Sequence, residues 1–176
     1  MLLGQGPFFQ TKLDDKSGYD HLPIDDESRL TMGFQCGGWC FVNHVLPFGW
    51  KTFPYIYQYL SLVATQEIRS QGVPCCQYID DLHLGERRPR SLEQTDTQIP
   101  GPSSFELAAA DNHVAVCILT SLGYFLNLAK SVFVPVQHLV YLGLCCDSTL
   151  TAFSMAPDKI KKFAEFREQI LSKRSM

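Results

Sequence analysis

The sequence predicts an α+β domain, in which a small antiparallel sheet carries helices packed on one face. Short apolar stretches flank turn residues such as Gly37–Gly38, a pattern typical of β-hairpins. Longer segments with apolar residues three or four positions apart begin at Pro54, at a capping box formed by Ser103 and Glu106, and at Pro157. These segments predict helices, and the mixture of hairpins and helices along the chain favours this fold class.

The composition is that of a globular protein with a core, because 45% of the 176 residues are hydrophobic and 19% are charged. The net charge of -3 counts against a general phosphate-binding surface, although metal-binding carboxylates would contribute to it. The first residues lack the basic and apolar runs of a secretion signal, and no membrane span is visible. We therefore expect an intracellular protein, in the cytoplasm or the nucleus.

The cysteines form neither a CxxC metal motif nor an evident disulfide framework, so buried, reduced thiols are expected. The five histidines match no ligand spacing and are predicted to be structural or on the surface. The cysteines are Cys36, Cys40, Cys75, Cys76, Cys117, Cys145 and Cys146.

In the first half of the chain, a strand is predicted at Phe8–Leu13 and a hairpin from Thr31–Gln35 and Trp39–Val42. A helix is predicted from Pro54 to about Gly72, where glycine suits the C-terminal end. Its spacing signal comes from Ile56, Leu60, Val63 and Glu67.

In the second half, apolar stretches on both sides of Asp80–Asp81 predict another hairpin. Arg87–Ser104 is rich in polar residues and proline and is predicted to be an exposed loop, which we favour over contact of Arg87, Arg88 and Arg90 with nucleic acid. A helix to about Leu122 should follow and end at Gly123. The remaining predictions are strands at Val132–Val134 and Leu139–Leu144, and a last helix with Ile160, Phe163, Ala164, Ile170 and Leu171 on one face.

Asp14 and Asp80–Asp81 each stand beside an apolar strand. If these strands are neighbours, the carboxylates converge and raise one another's pKa unless divalent cations lie among them. Hard oxygen ligands suit Mg²⁺, and two such ions can stabilise the attacking and leaving oxygens of an in-line displacement. Paired aspartates are also common in turns. Taken singly, therefore, either site can be a catalytic metal site or an ordinary turn.

Five segments, in order along the chain, resemble the motifs of reverse transcriptases. Lys12–Ile24 resembles the first catalytic motif, Val45–Pro54 the LPxGxxxxP segment, and Gln77–Leu82 the YxDD box. Leu122–Ser131 is similar to the lysine-bearing motif, and Val140–Gly143 to the primer-grip hairpin. The residues in and around these motifs are similar to those of DIRS-type retrotransposons, which encode a tyrosine recombinase.

The resemblance implies the palm of an RNA-directed DNA polymerase, with residues 1–150 as the palm and 151–176 as the start of the thumb or a connecting helix. It also implies two Mg²⁺ ions, with Mn²⁺ as the alternative metal. The implied partners are deoxynucleoside triphosphates and a primer on an RNA or DNA template, whereas no membrane partner is implied and the oligomeric state is left open.

The resemblance also implies roles for individual residues. Asp14 and Asp80 would ligate both metals with the help of Asp81, and the backbone carbonyl of Asp15 would complete one shell. Tyr19 would lie beneath the incoming sugar, where its ring excludes a 2′-hydroxyl. The other implied roles are nucleotide binding by Phe48 and Gly49, proton donation to pyrophosphate by Lys130, and template or primer contacts by Trp50, Lys51, Tyr78, Leu142 and Gly143.

Other interpretations stay open for several of these residues. Tyr19, Phe48 and Trp50 can be ordinary packed aromatic residues, and Lys130 can be a solvated lysine. Only thirteen residues precede Asp14, so we expect incomplete fingers, an incomplete thumb and poor polymerisation by this chain alone. The alternative functions are a non-catalytic remnant that binds nucleic acid or a protein partner, and a different metal-dependent phosphoryl-transfer enzyme.

Overall fold

The computed structural model describes residues 7–86 and 102–174. A 3-10 helix (Gly18–His21) and a short α-helix lie between the first two strands. The strands of the described residues are β1 (Gln10–Asp14), β2 (Gly33–Cys36), β3 (Trp39–Val42), β4 (Cys75–Tyr78), β5 (Asp81–Leu84), β6 (Val132–Val136), β7 (His138–Tyr141), β8 (Leu144–Asp147) and β9 (Ala152–Met155). The α-helices there are α1 (Asp26–Arg29), α2 (Phe53–Ser70), α3 (Ser104–Ser121) and α4 (Pro157–Arg174).

The central sheet has the strand order β4-β5-β1-β6, and all its neighbouring strands are antiparallel. Helices α2 and α3 pack together on this sheet and share one hydrophobic core with it. The α+β prediction is therefore confirmed. The core consists of Leu13, Leu82 and Leu84 from the sheet, Val73 before β4, and Ala64, Ile68, Ala115 and Leu119 from the helices.

Two smaller sheets flank the central one. Strands β2 and β3 form the predicted hairpin around Gly37–Gly38, and both glycines have positive φ angles, of 57° and 80°. Strands β7, β8 and β9 form a three-stranded antiparallel meander. The prediction of one strand over Leu139–Leu144 is wrong, because β7 and β8 are separated by a turn in which Leu142 and Gly143 have φ of 52° and 80°. An apolar leucine in a left-handed conformation carries no turn signal in the sequence.

Helix α2 is confirmed, but the apolar row that predicted it lies on its outer face. Ile56, Leu60 and Val63 are 40%, 42% and 59% exposed. The buried face combines large side chains with small or polar ones at Ser61, Ala64 and Thr65, where the helix can approach the sheet closely. The buried residues of α2 are Phe53, Tyr57, Ser61, Ala64, Thr65 and Ile68.

The ends of the later helices follow their sequence signals. Ser103 accepts a hydrogen bond from the Glu106 amide, and the Glu106 carboxylate accepts one from the Ser103 amide at 2.8 Å, so the capping box is confirmed. Gly123 follows α3 with a φ of 88°. Helix α4 begins at Pro157 as predicted, and its apolar face is exposed.

Several sequence predictions concern residues outside the core. All seven cysteines are free thiols, but the expectation that they are buried is wrong for Cys36, Cys40, Cys76 and Cys117, which are exposed, whereas Cys146 is buried. Arg87, Arg88 and Arg90, with most of the predicted loop, lie outside the described residues. No helix within 7–86 and 102–174 has the length and apolar character needed to cross a membrane.

Candidate active site

The pairing of β1 with β5 brings the predicted carboxylates to one end of the central sheet. Asp14 is the last residue of β1, and its partner across the sheet is Asp81, the first residue of β5. Side chains of directly paired residues project from the same face of a sheet. Asp80 lies in the turn just before β5, and its carbonyl accepts a hydrogen bond from the Asp15 amide at 2.9 Å. The three aspartates therefore surround the same strand ends.

The turn that carries Asp80 is held by α2. Ile79 has a positive φ of 53°, which is unfavourable for a β-branched residue. Its amide donates a hydrogen bond of 2.6 Å to Gln58 Oε1, and its carbonyl accepts one of 3.0 Å from Gln77 Nε2. Gln58 thus fixes the hairpin turn from the neighbouring helix, a role that the sequence motifs did not reveal.

Burial and negative neighbours act together on Asp14. Its side chain is only 6% exposed, and desolvation raises its pKa, with Asp81 and Asp80 adding to the increase. Lys130 opposes this increase, with its Nζ 3.9 Å from Asp14 Oδ1. The segment that bears Lys130 also holds the Asp14 backbone, because the Asp14 amide donates to Ser131 Oγ at 3.0 Å.

Lys12 is a second positive charge at the site, and the sequence analysis gave it no role. Its Nζ lies 2.8 Å from Asp81 Oδ1, and the two side chains are 15% and 19% exposed. Lys12 precedes Asp14 by two positions on β1, so both side chains lie on the same face of the sheet. The alternation of side chains along β1 already predicts that Lys12 and Asp14 share one face. That Lys12 reaches Asp81 follows only from the pairing of β1 with β5.

Asp15 points away from this face because adjacent residues of a strand alternate. Its carboxylate is buried and accepts a hydrogen bond from the Tyr57 hydroxyl on α2. Burial raises the pKa of Asp15. The same hydroxyl lies against Gly18, where a Cβ atom would come within 2.3 Å of it. The Asp15 side chain therefore anchors β1 to α2, although Asp80 and Asp14 still add to the increase in its pKa.

An aromatic cluster lies next to the carboxylates. The ring of Tyr19 is 5.1 Å from that of Phe48 and 5.3 Å from that of Tyr57, measured between centroids. Burial raises the Tyr19 pKa, and the charge of Asp80 adds to the increase. Phe48 is 81% exposed beyond this contact. The structure thus brings Tyr19 and Phe48 together beside Asp80, as two side chains of one surface.

The other residues that the sequence singled out are more dispersed. Gly49 has a φ of 100°, and Trp50 stacks on Phe53 with centroids 5.6 Å apart. Lys51 and Tyr78 are exposed. Leu142 and Gly143 form the turn between β7 and β8.

The β7–β8 hairpin is connected to β5 through Tyr141. Its hydroxyl donates a hydrogen bond of 3.3 Å to the Asp81 carbonyl, and its ring stacks on His83 with centroids 5.1 Å apart. Burial lowers the pKa of His83 to about 4, so the ring is neutral at pH 7. Its Nε2 lies 2.8 Å from Gln10 Oε1. A cavity of about 680 Å³ borders these residues, with Cys76 also in its wall.

The donor atoms suit a hard divalent cation, since carboxylate oxygens are its preferred ligands. Asp81 Oδ1 is buried and has no well-formed hydrogen bond in the part of the chain that the structure describes. In the same described residues, however, no three acidic, histidine or cysteine side chains are grouped closely enough for a metal centre. In this arrangement Asp81 contacts Lys12, so a metal cation could bind the Asp81 carboxylate only after it separates from the lysine.

Residues 5–146 match the family model for reverse transcriptase (RNA-dependent DNA polymerase). The chain belongs to the reverse transcriptase family. All five motifs identified in the sequence lie within the matched residues. The chain therefore shares its ancestry with the RNA-dependent DNA polymerases of this family, whose members normally use divalent metal ions.

Solved structures with the same fold include foamy viral protease-reverse transcriptases. One, in complex with dsDNA, is 19% identical with a TM-score of 0.64, over 88% of this chain and 28% of that chain. Another, in complex with an RNA/DNA hybrid, is 20% identical with the same TM-score, over 88% of this chain and 18% of that chain. The chain thus spans less than a third of each of these proteins, and identities this low show the fold alone. No curated protein matches the chain.

Proposed function

We propose that the chain provides the palm of an active RNA-directed DNA polymerase from a retrotransposon, most similar to the DIRS type. The observation that carries this proposal is the pairing of Asp14 with Asp81 across β1 and β5, with Asp80 in the adjoining turn. The DIRS assignment rests on the residues in and around the sequence motifs. We also propose that residues 1–150 form the palm, that residues 151–176 begin the thumb or a connecting helix, and that the protein acts inside the cell.

The proposed reaction is attack of a primer 3′-oxygen on the α-phosphorus of a deoxynucleoside triphosphate, with release of pyrophosphate. Asp14 and Asp80 would hold two Mg²⁺ ions, or Mn²⁺, with Asp81 assisting and the Asp15 carbonyl completing one shell. When bound, the metals would stabilise negative charge on the attacking and leaving oxygens. Lys130, whose ammonium lies 3.9 Å from Asp14 Oδ1, would supply a proton to pyrophosphate.

The surface beside the carboxylates would bind the nucleotide and the primer–template. Tyr19, packed against Phe48, would lie beneath the sugar, and Phe48 and Gly49 would line the nucleotide site. Two structural relatives were solved with dsDNA and with an RNA/DNA hybrid, which supports nucleic acid as the partner. The proposed template or primer contacts are Trp50, Lys51, Tyr78, Leu142 and Gly143.

Divalent cations are expected to raise the melting temperature of the wild-type chain and not that of Asp80→Asn. Binding to the folded state alone stabilises it by about 2.7 kcal/mol at a hundred times the dissociation constant. Thermal melts with and without Mg²⁺ or Mn²⁺ measure the shift. Asp20→Asn, which neutralises an exposed aspartate, should keep the wild-type shift. Equal shifts in the wild type and in Asp80→Asn would count against a specific site.

Tyr19→Ala is expected to increase the use of ribonucleotides relative to deoxyribonucleotides, by roughly 10- to 100-fold in kcat/KM ratio. Removal of the ring would open space for a 2′-hydroxyl, whereas Tyr19→Phe keeps the ring and should keep the selectivity. Single-nucleotide incorporation, with the chain fused to the fingers and thumb of a related reverse transcriptase, gives the ratio. Unchanged selectivity in Tyr19→Ala would mean that this tyrosine only packs against Phe48 and Tyr57.

A further inference from the structure

Lys12 places a positive charge within the cluster of aspartates. Its ammonium is 2.8 Å from Asp81 Oδ1, and its side chain is only 15% exposed. Because it lies two residues before Asp14 on β1, it shares a sheet face with Asp14 and with Asp81 on the paired strand. A largely shielded ammonium in this position acts on the same carboxylates that a metal ion would use.

The contact between Lys12 and Asp81 is an ion pair without a well-formed hydrogen bond. Asp81 Oδ1 is buried, and no donor among the described residues meets it with good hydrogen-bond geometry. A buried carboxylate oxygen in this state is incompletely satisfied and retains the capacity to bind a better-placed cation. The ion pair therefore compensates the charge of Asp81 but leaves Oδ1 without a well-aligned hydrogen-bond donor.

Lys12 differs in this respect from Lys130, the other lysine near the cluster. The side chain of Lys130 is 66% exposed and its Nζ is 3.9 Å from Asp14, so solvent and salt screen its charge. Lys12 is shielded from solvent and lies closer to its carboxylate. Lys12 is therefore the closer compensating charge for Asp81, whereas Lys130 has the larger effect on Asp14.

We propose that Lys12 is a built-in counter-cation that competes with the divalent metal for Asp81. This inference rests on the proposed function, because it takes Asp14, Asp80 and Asp81 as the metal ligands. Without metal, Lys12 limits repulsion among the carboxylates. A metal ion gains Asp81 as a ligand only when Lys12 moves away, so free cations bind weakly. Metal that arrives with a nucleoside triphosphate brings additional negative charge that can attract the released ammonium.

The test is Mn²⁺ binding to the full chain, measured from the electron paramagnetic resonance signal of free Mn²⁺ at fixed ionic strength. Lys12→Met removes the competing charge and is expected to bind Mn²⁺ about tenfold or more tightly, as the loss of a cation near the site requires. Lys12→Arg keeps the charge and should stay close to the wild type. Lys161→Met, which removes an exposed lysine on α4, should also bind Mn²⁺ like the wild type.

Unchanged or weaker Mn²⁺ binding by Lys12→Met would overturn the inference, and weaker binding would indicate that Lys12 positions Asp81 for the metal. If Lys12→Met does not fold, Lys12→Gln takes its place. If neither folds without metal, recovery of the circular dichroism signal by Mn²⁺ below the wild-type dissociation constant supports competition, and no recovery contradicts it. Mn²⁺ binding that persists in an Asp14→Asn, Asp80→Asn variant would instead contradict the proposed function.

Discussion

Replacing Gly18 with alanine is expected to destabilise the protein by about 3 kcal/mol, at the upper end of the usual cost of overpacking. A Cβ atom at this position would lie 2.3 Å from Oη, 2.4 Å from Cζ and 2.7 Å from Cε2 of Tyr57. Tyr57 is 3% exposed, and its hydroxyl is bonded to the buried carboxylate of Asp15. The ring cannot move aside without breaking that bond and disturbing Tyr19, which packs edge-on against it.

Urea denaturation of the wild type and of Gly18→Ala measures this cost from the change in midpoint at constant slope. Gly85→Ala is the matched control, since a Cβ there would meet its nearest atom, Pro74 Cγ, at an ordinary 3.7 Å. The control should change the free energy of unfolding by about 0.5 kcal/mol or less. Similar losses in the two variants would mean that the close packing of Gly18 against Tyr57 is not the cause of the destabilisation.

Local signals in the sequence were sufficient for most of the regular structure. The capping box at Ser103 and the glycine pair at Gly37–Gly38 specify a helix start and a hairpin turn through interactions within a few residues. The short helices Gly18–His21 and α1 escaped prediction because they are only one turn long, and β9 also escaped it. A pattern of period 3.6 is not readable over a single turn.

The buried face of α2 shows where local reasoning ends. Large apolar residues such as Ile56 and Val63 lie on its outer side, whereas Ser61 and Thr65 are fully buried. Thr65 can be buried because its hydroxyl donates a hydrogen bond of 3.0 Å to the Ser61 carbonyl. Which face of α2 is buried depends on how closely the helix must approach β4. That distance cannot be predicted from the hydrophobicity of the helix residues alone.

In the candidate site, too, some residues could be predicted from the sequence and others depend on tertiary contacts. Asp14, Asp80 and Asp81 were found from the sequence because their motifs combine residue type with order along the chain. Lys12 and Tyr57 were missed, because their contacts with Asp81 and Asp15 join residues far apart in sequence through the β1–β5 pairing and the packing of α2. Side chains that position or neutralise a site carry no fixed motif of their own.

In the chain fused to the fingers and thumb of a related reverse transcriptase, Asp14→Asn and Asp80→Asn are each expected to lower RNA-templated DNA synthesis by about 100- to 1,000-fold or more. The reason is that each variant removes a charged ligand of the proposed metal site. The effect should lie in the chemical step, with primer–template binding largely retained. Asp20→Asn, at an exposed aspartate of the 3-10 helix, should leave synthesis close to the wild type. The asparagine variants preserve shape, and circular dichroism would establish that they remain folded.

The most direct measurement is extension of a DNA primer on an RNA template with Mg²⁺ and deoxynucleoside triphosphates. It uses the chain alone and the chain fused to the fingers and thumb of a related reverse transcriptase. We predict extension by the fused protein that is lost in its Asp14→Asn and Asp80→Asn variants, with little or none by the chain alone. Primer–template binding by a folded fused protein without any extension would favour the non-catalytic remnant. Extension of equal rate in the wild type and in both asparagine variants would contradict a catalytic role for these carboxylates.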